Sequence, residues 1–126
     1  MKYLIGILVV VALIYGVKMY SKPASQPMVS PAIVEDVKII KMEGVNFRFT
    51  PSEIKVKLGD KVRVVLTAVD MPHDFDLAEL NVDGPLTQPG ETSEVEFTAS
   101  KAGEFEYYCS VGQHRANGMV GKLTVF

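Results

Sequence analysis

The chain has 126 residues, enough for one domain of ordinary size. Its formal net charge is −2, but all fifteen acidic residues lie at Glu35 or later, together with only ten lysines and arginines, so this part carries a charge of −5. An acidic domain disfavours a nucleic-acid partner, because nucleic-acid binding depends on cations that neutralise phosphates. A single cysteine, Cys109, excludes an intramolecular disulfide.

An uncharged apolar segment, residues 3–17, lies between Lys2 and Lys18. Its length suits either a short membrane-spanning helix or the core of a signal peptide. The residues that follow offer no convincing small-residue cleavage site, and no cysteine lies near to accept a lipid. We therefore expect residues 1–20 to form an uncleaved membrane anchor. A cleaved signal peptide is the main alternative, and a buried soluble helix is a third.

The next segment, residues 21–34, contains Pro23, Pro27 and Pro31 among small and polar residues. Such a composition favours an extended, semi-rigid linker. The sequence thus predicts three parts, which are the anchor, this linker and a globular domain over residues 35–126.

Beyond the linker, apolar and polar residues alternate in short runs, and no run sustains a helical period over twelve or more residues. Val62, Val64 and Leu66, for example, form the apolar face of a strand that follows a turn at Gly59-Asp60. The predicted strands lie at 36–42, 45–49, 54–58, 62–66, 94–97, 104–109 and 120–126. This pattern predicts an all-β Greek-key sandwich or barrel of seven or eight strands.

The single cysteine ends one of these strands. Side chains of a strand alternate between its two faces, so Phe105, Tyr107 and Cys109 share one face. The two aromatic residues orient that face toward the core. We therefore expect the thiol at the inner end of the strand, a position that suits a buried structural cysteine as well as a metal ligand.

Four residues with sulfur or imidazole donors are candidate metal ligands. Cys109, His114 and Met119 lie in one loop, CSVGQHRANGM, with four residues between each successive pair. His73, the other histidine of the chain, lies in a predicted turn, VDMPHDF, at the end of an inner strand. A sandwich could bring the loop and the turn together at one end.

This donor set favours copper. A thiolate with two imidazoles and a weak thioether is expected for a blue-copper centre, because sulfur donors favour Cu(I) and imidazole suits both oxidation states. Zinc is the rival metal, but it gains little from a thioether and so accounts for only three of the four residues. Each residue alone has a structural explanation, since single methionines and cysteines usually pack in cores. The copper hypothesis therefore depends on the four residues taken together.

At these motifs the chain resembles a known family. Two stretches resemble cupredoxins of the plastocyanin, azurin and rusticyanin group. They are FRFTPSEIKVKLGDKVRVVLTAVDMPHDF and PGETSEVEFTASKAGEFEYYCSVGQHRANGMVGKLTV. The resemblance covers nearly the whole predicted domain. It implies that His73, Cys109 and His114 are equatorial copper ligands and that Met119 is the axial one. The first stretch also resembles the copper domain of cytochrome oxidase subunit two, but a binuclear centre would need a second cysteine where Gln113 stands, so one copper ion is expected.

One departure from the family pattern is Asp74, which follows His73 where many relatives have Asn or Ser. A carboxylate that faces copper would stabilise Cu(II) and lower the reduction potential. The resemblance further implies that the edge of His114 reaches the surface as the exit for the electron. Met71 and Pro72 would complete an apolar surface there.

Charge suggests a second docking surface. Glu94, Glu96, Glu104 and Glu106 point outward on two predicted strands joined by a short turn, and Tyr108 shares that outer face. Similar acidic ground beside a tyrosine serves plastocyanin, so a cationic redox partner such as a cytochrome is a hypothesis. An ordinary solvated face is the alternative.

The sequence therefore predicts a mononuclear blue-copper protein that carries single electrons between redox partners such as a cytochrome or an oxidase. We expect a monomer on the outer face of the cytoplasmic membrane, held by the N-terminal anchor, or a secreted or periplasmic protein if that segment is cleaved. Copper trafficking or sensing is the alternative function. An enzyme is not expected, because the cysteine and histidines lack a recognisable orienting partner for hydrolysis and no further histidine remains for an open copper site.

Overall fold

The computed structural model of the protein describes residues 35–126. The predicted anchor, residues 1–20, and the predicted linker, residues 21–34, lie outside this part. Within residues 35–126, no helix has the length and apolar character needed to cross a bilayer. The membrane anchor and the boundaries of the three predicted parts therefore stay predictions.

The described part is all-β, as predicted. Its nine strands are β1 (Val37–Val45), β2 (Arg48–Thr50), β3 (Glu53–Val56), β4 (Lys61–Ala68), β5 (Asp76–Leu77), β6 (Val82–Asp83), β7 (Thr92–Thr98), β8 (Gly103–Tyr108) and β9 (Val120–Val125). A short 3₁₀ turn, Ala78–Leu80, lies between β5 and β6. The seven predicted runs correspond to β1–β4 and β7–β9. The sequence pattern did not reveal β5 and β6, because a strand of two residues is too short to show an alternation.

The strands form two packed sheets. One has four strands in the order β2-β1-β4-β7, and the other has five in the order β3-β9-β8-β5-β6. Two pairings are parallel, β1 with β4 and β3 with β9, and the other pairings are antiparallel. The chain changes sheet after β2, β3, β4, β6 and β7. These repeated crossings give the two-layer sandwich that the sequence predicted.

The core lies between the sheets and follows the predicted alternation. In β4, Val62, Val64 and Leu66 are buried while the residues between them are partly exposed. Ring centroids 5.0 to 6.5 Å apart join an aromatic cluster of Phe49, Phe75, Phe97 and Tyr107. Aromatic pairs at such separations add to the stabilisation from burial alone.

One residue departs from the predicted core. Leu58 continues the alternation of Ile54 and Val56, yet its side chain is 55% exposed while theirs are buried. The strand β3 ends at Val56, and the chain then turns through Gly59, which has a φ of +91°. The alternation in the sequence therefore outlasts the strand by one apolar residue.

The topology brings the candidate ligand segments to one end of the sandwich. His73 lies in the crossing from β4 to β5, and Cys109 directly follows β8. Asp76 of β5 pairs with Tyr108 of β8, so the residues just after His73 lie beside the residue just before Cys109. The strand β9 then starts at Val120 and returns the chain from the same end.

A close contact between two strands fixes the ring of Tyr107 in the core. Tyr107 is fully buried and pairs with Gly121 in the register of β8 and β9. A β-carbon at Gly121 would lie 2.1 Å from the Tyr107 ring. The Tyr107 hydroxyl donates to the carbonyl oxygen of Pro51 at 2.9 Å, so the ring cannot shift without losing that bond. Only glycine therefore fits at this position.

We expect Gly121→Ala to lower the free energy of unfolding by about 1–3 kcal/mol, because the added methyl group overpacks the Tyr107 contact. Urea denaturation measures the change. Lys122→Ala is the control, since it removes only an exposed ion pair with Glu104 at 3.5 Å, which is worth less than about 1 kcal/mol. Wild-type stability in Gly121→Ala would contradict the packing argument.

Candidate metal centre

Three of the predicted ligands meet at one end of the sandwich. Nδ1 of His114 lies 3.5 Å from Sγ of Cys109, and Nδ1 of His73 lies 3.9 Å from the same sulfur. The three side chains place one donor atom each within 4.8 Å of one another. His73 and Cys109 are fully buried, whereas His114 is partly exposed. The cysteine lies at the inner end of its strand, as the alternation in β8 predicts.

The backbone of His73 is fixed by a pair of hydrogen bonds. Its N–H donates to the carbonyl of Thr87 at 3.0 Å, and the Thr87 N–H donates to the carbonyl of His73 at 2.8 Å. Thr87 is itself almost fully buried, and its hydroxyl lies 2.5 Å from that of Ser93 in β7. His73 is thus attached to the main chain of a second segment although it lies outside the named strands.

The loop that carries His114 is held by its own backbone. The N–H of His114 donates to the carbonyl of Val111, and the carbonyl of His114 accepts from the N–H of Met119, both at 3.0 Å. The N–H of Cys109 donates to the carbonyl of Met119 at 3.2 Å. These bonds close the ligand loop on itself and place its two sulfur-containing residues side by side.

The side chain of Met119 packs beside His73. Met119 is fully buried. A β-carbon at Gly44 of β1 would lie 2.9 Å from Cδ2 of His73 and 3.2 Å from Cε of Met119. The His73 ring and the Met119 methyl group therefore both lie close to the bare backbone of Gly44. The sequence pattern does not reveal Gly44, because a glycine within a strand has no donor side chain and no spacing relation to the candidate ligands.

The turn between β1 and β2 contacts His114. Its central residues, Asn46 and Phe47, have φ angles of +51° and +57°. Asn tolerates this left-handed conformation, but an aromatic residue there is unusual and strained, at a cost of about 1–3 kcal/mol. The Phe47 ring meets the His114 ring edge to face, with centroids 5.1 Å apart. The strained turn thus places an apolar ring against the exposed side of the cluster.

Asp74 lies next to a candidate ligand, but its carboxylate binds the neighbouring loop. It accepts a hydrogen bond from the backbone N–H of Ser110 at 2.6 Å and another from the Ser110 hydroxyl. Asp74 is only 7% exposed. Both carboxylate oxygens are therefore used to join the segment after His73 to the segment after Cys109. The pKa of the neighbouring Asp76 is raised above its ordinary value. Burial is the main cause, and the nearby charge of Asp74 is the second.

A second carboxylate, Asp70, contacts the cluster directly, although no pattern in the sequence indicated it. Its Oδ1 lies 2.9 Å from Nε2 of His73, the ring nitrogen that faces away from Cys109. This hydrogen bond holds the pKa of Asp70 below its ordinary value. An aspartate three residues before a histidine in a turn is too common a pattern to have marked it.

Burial also changes the pKa of the Cys109 thiol. Removal from water disfavours the charged form and raises the pKa of Cys109 to about 11. At neutral pH the metal-free chain therefore holds a protonated thiol. Because a metal binds the thiolate, binding must release this proton, which makes affinity for a metal pH-dependent.

The acidic side chains predicted to form one docking surface lie on two different sheets. Glu94 and Glu96 are on β7 of the four-stranded sheet, and Glu104 and Glu106 are on β8 of the five-stranded sheet. The expectation of one shared outer face is wrong, because the chain changes sheet between these strands. A short turn between two strands does not reveal whether they pair or cross.

These carboxylates also have basic partners. Nη2 of Arg63 lies 2.5 Å from Oε1 of Glu96, and Nε of Arg63 lies 3.7 Å from Oε2 of Glu94. Arg115 binds Glu106 at 2.6 Å, and its guanidinium carbon lies 3.8 Å from the centre of the Tyr108 ring. Arg115 therefore covers the tyrosine that the sequence placed on the acidic surface.

The residues of the cluster fit a copper ion. Two imidazole nitrogens face one buried thiol, and a buried thioether lies beside one of the imidazoles. This is the set of donors that a blue-copper centre uses. Among residues 35–126, the site has neither the four cysteine or histidine donors nor the carboxylate ligand typical of many zinc sites.

We expect Ser110→Ala to lower the free energy of unfolding of the metal-free chain by about 1 kcal/mol, because it removes the hydroxyl that donates to the partly buried carboxylate of Asp74. Urea denaturation provides the measurement. Ser100→Ala removes a hydroxyl from an exposed residue and should have little effect. Equal stabilities of the two variants would show that the Asp74 contact contributes nothing.

Comparisons with known proteins agree with the fold and the cluster. Residues 7–125 match the family model of the Cupredoxin-like domain. The chain is 31% identical over 123 residues to the chloroplastic plastocyanin minor isoform of Arabidopsis thaliana, covering 88% of this chain and 69% of that protein. It is 35% identical over 89 residues to plastocyanin of Sambucus nigra, covering 61% and 86%. The structure of auracyanin A, a blue copper protein from Chloroflexus aurantiacus, matches with a TM-score of 0.62 and 25% identity, over 71% of this chain and 99% of that one. The chain belongs to the cupredoxin-like family.

Proposed function

We propose that this protein is a one-electron carrier with a type 1 copper centre, in which His73, Cys109 and His114 would hold the metal and Met119 would be a fourth, weaker sulfur donor. The observation that supports this most directly is the convergence of two Nδ1 atoms on one buried sulfur, within 4.8 Å of one another. The similarity to plastocyanins and to a blue copper protein supports the same proposal.

One copper ion is the cofactor supported by this donor set and by the blue copper relatives. When bound, copper supplies one-electron chemistry by changing between Cu(I) and Cu(II). The buried thioether of Met119 beside the imidazole of His73 favours copper over zinc, because zinc gains little from such a donor.

The chain's own contribution is to hold the donors still. The paired backbone bonds of His73 with Thr87 and the closed loop from Cys109 to Met119 restrict movement of the ligand segments. A site that barely rearranges between oxidation states transfers electrons with little reorganisation. Burial of His73 and Cys109 keeps water from the donors, and Cys109 must lose its proton before the site can be filled.

The exposed edge of the site is at His114, which we propose as the point of electron exchange with a redox partner. His114 is the only partly exposed member of the cluster, and the Phe47 ring extends the apolar surface at its edge. Met71 and Pro72 are partly exposed in the segment that leads to His73. A cytochrome or an oxidase is the partner we propose for this surface.

We do not propose docking through the acidic surface that the sequence predicted. Its carboxylates are divided between the outer faces of two sheets, and Arg63 and Arg115 offset much of their charge. We expect electron transfer to depend only weakly on ionic strength, as for docking through an apolar surface.

We also propose that the protein is a monomer that works on the extracytoplasmic side of a membrane. The apolar segment at residues 3–17 supports this placement from the sequence. Copper trafficking remains the alternative function, but the burial of His73 and Cys109 disfavours the rapid ligand exchange that trafficking requires. Rapid release of copper to a chelator would favour trafficking. An electron carrier needs no substrate site, so we propose no enzymatic activity.

The visible spectrum of the copper-loaded, full-length chain tests the centre. We expect an intense thiolate-to-copper absorption that Cys109→Ser loses almost completely, because a serine oxygen cannot supply the same charge transfer. Gln113→Ala is the matched control, since it alters an exposed residue of the same loop and should keep the colour. A colourless wild-type chain that prefers zinc would refute the proposal.

The proposed role of Met119 as a copper ligand is tested by Met119→Gln. We expect copper to stay bound while the reduction potential falls, because an amide oxygen is a harder donor than a thioether and favours Cu(II). Potentiometric titration followed by visible absorption measures the change. Leu58→Gln alters an exposed apolar residue that follows β3 and should leave the potential unchanged. The same potential in Met119→Gln and the wild type would remove Met119 from the ligand set.

A further inference from the structure

The two ring nitrogens of His73 have different surroundings. Nδ1 faces Sγ of Cys109 at 3.9 Å, and Nε2 lies 2.9 Å from Oδ1 of Asp70. The His73 side chain is 0% exposed, so water cannot take the place of either contact. One ring nitrogen thus faces the donor cluster and the other faces a carboxylate.

Asp70 is itself held by the backbone on two sides. Its Oδ1 also accepts a hydrogen bond from the N–H of Met71 at 2.9 Å. Its Oδ2 accepts one from the N–H of Asn46 at 2.7 Å, in the turn between β1 and β2. Both oxygens are therefore fixed before any metal arrives, and the orientation of the carboxylate does not depend on His73 alone.

A carboxylate in this position has two chemical effects on an imidazole. It can only accept a hydrogen bond, so it places the ring proton on Nε2 and leaves the lone pair on Nδ1. Its negative charge also makes the imidazole a stronger electron donor toward a metal. Asp74, the other carboxylate close to His73, bonds to Ser110 and has neither effect through a hydrogen bond.

We propose that Asp70 is a positioning residue for the copper site, which fixes the tautomer of His73 and stabilises Cu(II) relative to Cu(I) through the Nε2–H hydrogen bond. The inference rests on the proposed role of His73 as a copper ligand. The tautomer of His73, however, can be measured in the metal-free chain. The first part of the proposal, the effect of Asp70 on the tautomer of His73, can therefore be tested whether or not the protein carries electrons.

The first experiment observes the histidine nitrogens of the metal-free, full-length chain by NMR. We expect the wild type to show His73 with the proton on Nε2. Asp70→Asn retains a carbonyl oxygen that can accept this hydrogen bond and should keep the tautomer. Asp70→Ala removes the acceptor and should yield a mixture of the two tautomers. An unchanged tautomer in Asp70→Ala would overturn the positioning role.

The second experiment measures Cu(II) and Cu(I) affinities and the reduction potential of the same variants. We expect Asp70→Ala to weaken Cu(II) binding by about 10- to 100-fold, the range found for loss of a residue that orients a metal ligand. Asp70→Asn should weaken Cu(II) binding more than Cu(I) binding and so raise the potential, because it removes the charge. Glu91→Gln is the control, because it removes a charge from an exposed residue. It should change neither of the two copper affinities nor the reduction potential.

The outcomes separate positioning from simple structural support. A variant that loses stability but keeps the ratio of Cu(II) to Cu(I) affinity would overturn the proposed effect on the oxidation states. The same potential in Asp70→Asn, Asp70→Ala and the wild type would do so as well. Failure of the wild type to form a coloured copper site would instead refute the proposed function, and the tautomer experiment would still decide the role of Asp70 toward His73.

Discussion

Burying polar donor groups beneath a layer of protein is the constraint on which this structure depends. Unpaired polar groups are costly away from water, so each donor needs a partner on the side that faces away from the cluster. Asp70 serves His73 in this way, and Asp74 and Ser110 satisfy each other between the two ligand segments. Among the described residues, every buried side-chain nitrogen and oxygen has a hydrogen-bond partner. The buried part of the cluster is therefore fully hydrogen-bonded within an apolar core.

Local patterns in the sequence predicted much of this arrangement. The alternation in β8 placed Cys109 on the inner face, and the donor types of His73 and His114 predicted the two imidazoles that lie near its sulfur. Period-two alternation depends on neighbouring residues, so it can be read from the chain directly. The contacts that orient the donors could not, because they join residues far apart in sequence. Asp74 and Ser110, for example, are separated by 36 positions.

The incorrect predictions also arise from contacts between residues far apart in sequence. Two strands joined by a short turn were expected to share a face, but β7 pairs with β4 and β8 pairs with β9. Net charge likewise did not reveal how charges are paired. The described domain is acidic overall, yet Arg63 and Arg115 lie against the glutamates that were expected to form a free surface. Pairing of strands and pairing of charges are both decided by tertiary structure.

The strained turn at Asn46 and Phe47 has a consequence for protein engineering. Its backbone fixes the carboxylate that contacts His73, and its aromatic ring contacts His114, although the turn contributes no donor of its own. The environment of the two imidazoles is thus distributed over at least four separate segments of the chain. Grafting the loop 109–119 onto another sandwich would carry three of the donors but not the groups that orient them. The loop 109–119 alone would therefore not reproduce the geometry of the cluster.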